Sequence, residues 1–107
     1  MFFECNNLKI NILSVLSLSW QESDAYAAGR PFNALSYRIK GNADFMHSGR
    51  TIHVNSGDII FVPQNYDYHL FAHDEKLIVI HFEIENQSEF DIDLITPVDS
   101  SYFQKKF

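Results

Sequence analysis

Sulfur chemistry has almost no foothold in this chain. Cys5 is the one cysteine among 107 residues, so neither an internal disulfide nor a cysteine-based zinc site can form, and a reducing compartment fits. Glycine is nearly as scarce, with four residues, each at a turn signal. That excludes the Gly-rich loops that cradle phosphates. Basic residues number 8 against 14 acidic ones, for a net charge of −6. They are scattered without a stripe, so this segment is a poor candidate for holding nucleic acid itself. No run approaches the ~20 apolar residues that a membrane-spanning helix needs. Lys9, the apolar run Ile10 to Leu18 and Ala25-Tyr26-Ala27 mimic a secretory leader. However, Glu4, the interrupting Asn11 and serines, and Glu22 and Asp24 near the would-be cleavage site argue against one.

Catalytic motifs are equally thin. No G-x-S-x-G elbow singles out a serine, and Cys5 reads as an ordinary thiol. The histidines are His47, His53, His69, His73 and His81. Neither HxH nor HExxH occurs. His69 and His73 are four apart, a spacing that converges on a helix, but the pattern puts them on a strand and in a turn. A metal needs three or four converging ligands, and the sequence offers no such set. Neither a catalytic residue nor a cofactor is expected.

Hydrophobic residues are plentiful, at 46%, with ten Phe and five Tyr. That is enough for one packed domain. Their spacing is that of strands. Leu8 to Ile12 alternates, and Val15 to Trp20 continues the extended run. Asn33 to Lys40 is closed by Gly41-Asn42. Asp44 to His47 and Thr51 to Val54 flank a Ser48-Gly49 hairpin turn. Asn55-Ser56-Gly57 leads into Asp58 to Val62, and Pro63 to Asp67 turns the chain into Tyr68 to Ala72. His73-Asp74-Glu75 is a turn before the long strand Lys76 to Glu85. A short strand at Leu94-Ile95 follows the acidic stretch Asn86 to Asp93. Short strands and turns at this spacing predict an all-β sandwich or barrel. Beyond Pro97, Ser101 and Gln104 have capping-box spacing, and Phe103 and Phe107 lie on one helical face. The chain stops within that helix's first two turns, which is expected either of a piece of a longer natural protein or of a short C-terminal helix docking on the barrel.

Strand alternation divides the candidate lumen from the outside. One face of the second strand carries Ala34, Ser36 and Arg38, and the other carries Leu35, Tyr37 and Ile39. Tyr68 and Leu70 oppose His69 and Phe71. Leu77, Val79 and His81 oppose Ile78, Ile80 and Phe82. The faces with isolated polar groups suit a ligand cavity. The opposite assignment, with these polar residues in solvent, fits the alternation equally well.

Three segments together resemble the N-terminal domain of AraC-family transcriptional regulators. They are Arg30-Pro31-Phe32-Asn33-Ala34-Leu35-Ser36-Tyr37-Arg38-Ile39-Lys40-Gly41, Gly57-Asp58-Ile59-Ile60-Phe61-Val62-Pro63 and Leu77-Ile78-Val79-Ile80-His81-Phe82. The segment Ser101 to Phe107 is similar to the start of that family's linker helices. The resemblance implies a cupin-like small β-barrel (a double-stranded β-helix, or jelly roll) over residues 1–97. A truncated linker or dimerisation helix would occupy 98–107. DNA binding would belong to a helix-turn-helix domain outside this chain. It also implies a cytoplasmic protein that is a homodimer at full length. Metal-binding cupins carry ligands where this chain has Ala28, Arg30, Ala34 and Tyr68, which departs from a metalloenzyme. The implied function is sensing a small polar metabolite, such as a sugar, in the lumen. Arg30 or Arg38 would donate charge-assisted hydrogen bonds. Tyr68 and Trp20 would offer flat faces, Ser36 and His81 adjustable hydrogen bonds, and Leu70 and Val79 apolar walls. The rival readings are a metal-dependent or sugar-modifying stand-alone cupin and a pure dimerisation module.

Overall fold

The computed structural model describes residues 9–85 and 90–96. The N-terminal arm over 1–7 and the helix expected over 98–107 lie outside the described residues. Six strands are present: β1 (Ile10–Ala27), β2 (Asn33–His47), β3 (Arg50–Val54), β4 (Ile59–Val62), β5 (Tyr68–Ile84) and β6 (Asp93–Ile95). All pair antiparallel, in the order β1-β5-β2-β4-β6 with β3 attached to β2. The domain is all-β, and a cupin-type jelly roll accounts for it, although the sheet is not closed into a ring.

Three strands run through positions where the sequence suggests breaks. The expected stop at Gly41-Asn42 is a kink inside β2, and the expected turn at His73-Asp74-Glu75 is a kink inside β5. β1 continues past Trp20 through a polar stretch to Ala27. The reason for both kinks is local. Gly41 (φ 82°) and Asp74 (φ 48°) take left-handed conformations against one another. The β2–β5 register slips between Arg38 and Lys40 and again between Lys40 and Asn42. Such slips bend a strand and reset which face its side chains occupy.

The kinks fold the sheet over itself. Before them, Ala34 to Tyr37 of β2 pair with β4. After them, Ala43 to His47 pair with β3. Ile60 and Val62 from the first half then share one core with Ala43, Phe45, Val54 and Ala72 from the second. A second, smaller cluster of Phe61, Phe82 and Ile84 is covered by Leu35, Ile80 and Phe90. The expected hairpin holds: Ser48 (φ 50°) and Gly49 (φ 76°) are both left-handed, as a two-residue turn between twisted strands requires.

Asn33 staples this assembly at the start of β2. It is fully buried, its Nδ2 donates to the Phe82 carbonyl at 3.2 Å, and its Oδ1 accepts from the Gln64 amide at 3.0 Å. Asn33→Ala is expected to cost about 1–3 kcal/mol, because the substitution removes both bonds at a buried site. A urea denaturation midpoint that does not move would contradict this role.

Candidate ligand site

The Gly57-Asp58 turn positions the most buried cation. Arg38 bonds this turn on the β4 side of β2, one step beyond the Tyr37–Ile59 pair. The Arg38 amide donates to the Asp58 carbonyl at 3.0 Å, and its carbonyl accepts from the Gly57 amide at 2.7 Å. Gly57 needs its φ of 91° to make that approach. The Asp58 carboxylate steadies the turn by accepting from the Asn55 amide at 2.8 Å. The Arg38 side chain then runs inward. It is 2% exposed and pairs through Nε with Glu75, whose side chain is wholly covered. Its Nη1 donates to Ser36 Oγ at 3.0 Å, and the guanidinium lies 5.6 Å over the Phe45 ring.

Burial dominates the electrostatics of this pair. It pushes the Glu75 carboxyl up, while Arg38 and then the Trp20 indole pull it back. It pushes the Arg38 guanidinium down, opposed by Glu75 and by Tyr68. Trp20 is the cross-strand partner of Glu75. Its N–H favours the ionised carboxylate, as the Arg38 guanidinium does.

A small cleft lies where the chain enters β2 and β5. Arg30, Phe32, Ala34, Val62, Pro63, Tyr66 and Tyr68 line it, with a volume of about 20 Å³. That is room for about one water. Arg30 is exposed, has no ion-pair partner among the described residues, and lies 5.9 Å over the Phe32 ring. Phe32 in turn packs on His81, with 4.4 Å between ring centroids. His81 Nδ1 is 3.2 Å from Ser14 Oγ. Burial first, and then the Arg30 charge, lower the His81 pKa, which favours the neutral ring. Tyr66 donates to Asp91 at 3.0 Å, and Asp91 also contacts Arg50.

The expected residues therefore fall into two groups. Arg30 and Tyr68 share the cleft, with His81 beside them through Phe32. Arg38, Ser36 and Trp20 gather around Glu75. Leu70 and Tyr68 pack on the main core, and Val79 is buried opposite Ser36. The solvent-facing alternative does not hold for Ser36 and Arg38, which are buried. Trp20 packs against the core, so its face is engaged by protein. Sequence reasoning missed Glu75 by assigning it to a turn. It sits two residues before Leu77, on the same alternation as Leu77, Val79 and His81, which was the available signal. His69 points away from the lumen, to Asp24 at 2.5 Å, and stacks on Phe71. Among the described residues no three His, Cys, Asp or Glu side chains gather as a metal site.

No protein-family model matches the chain, and no curated protein matches it in sequence. Solved structures do resemble it. ToxT from Vibrio cholerae matches at 13% identity and a TM-score of 0.53, over 94% of this chain and 47% of that one. The same protein bound to an unsaturated fatty acid matches at 14% and 0.51, over 96% and 46%. A cupin-2 domain protein from Shewanella frigidimarina matches at 15% and 0.48, over 77% and 74%. The chain spans about half the length of ToxT. At these identities the likeness is one of fold, and the fold is cupin-like.

Proposed function

We propose that this chain is the ligand-sensing domain of an AraC-type transcriptional regulator, and that it binds its ligand without transforming it. DNA binding and any dimerisation helices would reside in sequence outside these 107 residues, in a cytoplasmic protein. The fold likeness to ToxT, an AraC-family regulator, supports this reading. The observation that carries it is this cleft, where Arg30, a cation with no ion-pair partner among the described residues, meets aromatic and apolar walls.

That lining favours a small molecule with an anionic head and an apolar or planar body. The head would take charge-assisted hydrogen bonds from Arg30, and Phe32, Tyr66 and Tyr68 would enclose the body. A neutral sugar is the weaker candidate. Ser36 already accepts from Arg38 and His81 already contacts Ser14, so few free polar groups face the cleft. A cleft of about 20 Å³ is far below the ~300 Å³ of ordinary ligand pockets. Binding would therefore displace side chains, and Tyr68, which lines the cleft and acts electrostatically on Arg38, is the side chain we expect to move. A ligand that prefers the displaced arrangement shifts the equilibrium between the two forms, as a sensor requires.

Calorimetric titration with a medium-chain fatty acid, its methyl ester and a panel of neutral sugars tests this. Saturable binding of the acid is expected, with about a tenfold loss for the ester and for Arg30→Gln, the range of one charge-assisted hydrogen bond. Sugar binding that is indifferent to Arg30→Gln would replace the carboxylate reading with the sugar one. Turnover of any bound compound would overturn binding without catalysis.

A further inference from the structure

Ala34 is the smallest side chain lining the cleft, and it sits in an unbroken cross-strand row. Ser14 of β1 opposes His81 of β5, His81 opposes Ala34 of β2, and Ala34 opposes Val62 of β4. Residues directly opposed on neighbouring strands share a face of the sheet, with Cβ atoms about 5 Å apart. His81 and Ser14 therefore stand on the face that Ala34 and Val62 present to the cleft. The Ala34 methyl is the row's only side chain between His81 and Val62. Phe32, another lining residue, contacts both cations of this region: its ring packs on His81 at 4.4 Å and carries the Arg30 guanidinium at 5.9 Å. The His81 ring has one hydrogen-bond partner, Ser14 Oγ at Nδ1. Its Nε2 has none among the described residues.

We infer that His81 is a second contact for the ligand's anionic head beside Arg30, and that binding loads a proton onto this histidine, so that ligand sensing is coupled to pH. This role rests on the carboxylate ligand proposed above. In the free protein, burial and the Arg30 charge both disfavour the imidazolium. A carboxylate lodged against Arg30 offsets that charge and offers an acceptor, and both effects favour the imidazolium. The other charged group near His81 on this face is Glu83, two residues along β5, which is engaged with Asn11 at 3.5 Å. β1 and β2 bring only uncharged residues to it, namely Ser14, Leu16, Ala34 and Ser36. Ser14 is the positioning residue. A hydroxyl donates to Nδ1 of the neutral ring and accepts from the same nitrogen once it is protonated, so the ring keeps its orientation in both states and its Nε2–H is left for the carboxylate. The bound form then holds the proton more tightly than the free form. Affinity is therefore highest on the acidic side and falls as pH rises through the bound-state titration. An ester or a neutral sugar loads no proton.

Calorimetric titration of the 107-residue chain with a medium-chain fatty acid is the test, run from about pH 6 to 8, where histidine titrates, in two buffers of different ionisation heat. The expected result is a net uptake of up to about one proton per site, with affinity about tenfold higher at the acidic end. His81→Gln is expected to abolish the uptake and flatten the pH profile while the acid still binds through Arg30. Ser14→Ala is expected to reduce both, and Ser14→Thr to restore them. If His81→Gln folds poorly, the His81 ring resonances of the wild type, followed by NMR with and without the acid, report the same proton directly. Binding that depends on Arg30 but takes up no proton overturns the role of His81 and leaves the carboxylate ligand standing. Uptake that persists in His81→Gln also overturns it, because another group then takes the proton. A wild-type chain that does not bind the acid at any pH removes both the carboxylate ligand and the role of His81.

Discussion

Glu75→Ala is expected to destabilise the domain by about 3–5 kcal/mol, the range for removing one partner of a buried ion pair. In a domain of this size that corresponds to a melting temperature lower by more than about 10 °C. The loss arises less from a missing attraction than from what is left behind. Arg38 is 2% exposed, so without Glu75 its guanidinium is a buried charge with only Ser36 and the Phe45 face for company. The double variant Arg38→Met with Glu75→Leu removes both charges and is expected to recover most of the loss, because a well-packed apolar pair often matches a buried ionic one. Urea unfolding of the four proteins in a double-mutant cycle measures the coupling. A single-variant cost under about 1 kcal/mol would mean that the pair is solvated in solution.

The same carboxylate sets a pH dependence of unusual sign. Burial raises the Glu75 pKa above the ordinary glutamate value despite Arg38 and Trp20. The native state then binds this proton more tightly than the unfolded chain does, so stability from this group falls as pH rises from the ordinary glutamate range through the raised one. Most acidic groups behave oppositely. The comparison is between wild type and Glu75→Gln, in which this component disappears.

Gly41→Ala is expected to cost more than about 3 kcal/mol, in the class of backbone-strain and overpacking substitutions. A Cβ at Gly41 would fall onto the Asp74 carbonyl oxygen and within 2.5 Å of the His73 carbonyl oxygen. Both are backbone atoms of the neighbouring strand and cannot rotate away. The φ of 82° adds its own penalty for any residue with a side chain. Gly49→Ala is the internal control. Its φ is a similar 76°, but nothing lies within 4 Å of the added methyl, so only the conformational cost of about 1 kcal/mol remains. Equal losses at the two positions would show that the close approach at the kink is not realised. Gly41→Ala should also disturb the environment of Trp20, read by near-ultraviolet circular dichroism, because the kink separates the Arg38 layer from the rest of β2.

Much of the architecture was legible in the alternation of apolar residues. The hairpin at Ser48-Gly49 and the turn at Asn55-Ser56-Gly57 stand where turn chemistry places them, and β6 covers the short strand expected at Leu94-Ile95. The inward parity of Ala34, Ser36, Arg38, Tyr68 and Leu70 is matched by their burial or by their packing on the main core. What alternation could not convey was continuity. Gly41 and Asp74 read as chain reversals because glycine and Asp-Glu clusters usually are. In the fold they are paired kinks, a property of two strands jointly that neither segment reveals alone. The misreading hid Glu75, and with it the partner that makes a buried arginine tenable. Similarly, Arg30 and Tyr68 could be proposed as site residues singly. That they share a cleft roomy enough for about one water depends on how Phe32 and Tyr66 fill space, and that packing is not encoded in periodicity.

Because Ile10 pairs with Ile84 and Ala27 with Tyr68, β1 has no partner until almost the whole domain has been synthesised. At ordinary translation rates that delay is on the order of seconds, during which an uncharged, β-prone segment waits in the open. The Ser48-Gly49 hairpin can form early, since His47 and Arg50 are near neighbours. The sheet itself must close distant pairings late, which slows folding. The nascent chain is therefore most vulnerable to aggregation at its beginning, and a chaperone that engages residues 10–21 would guard that interval.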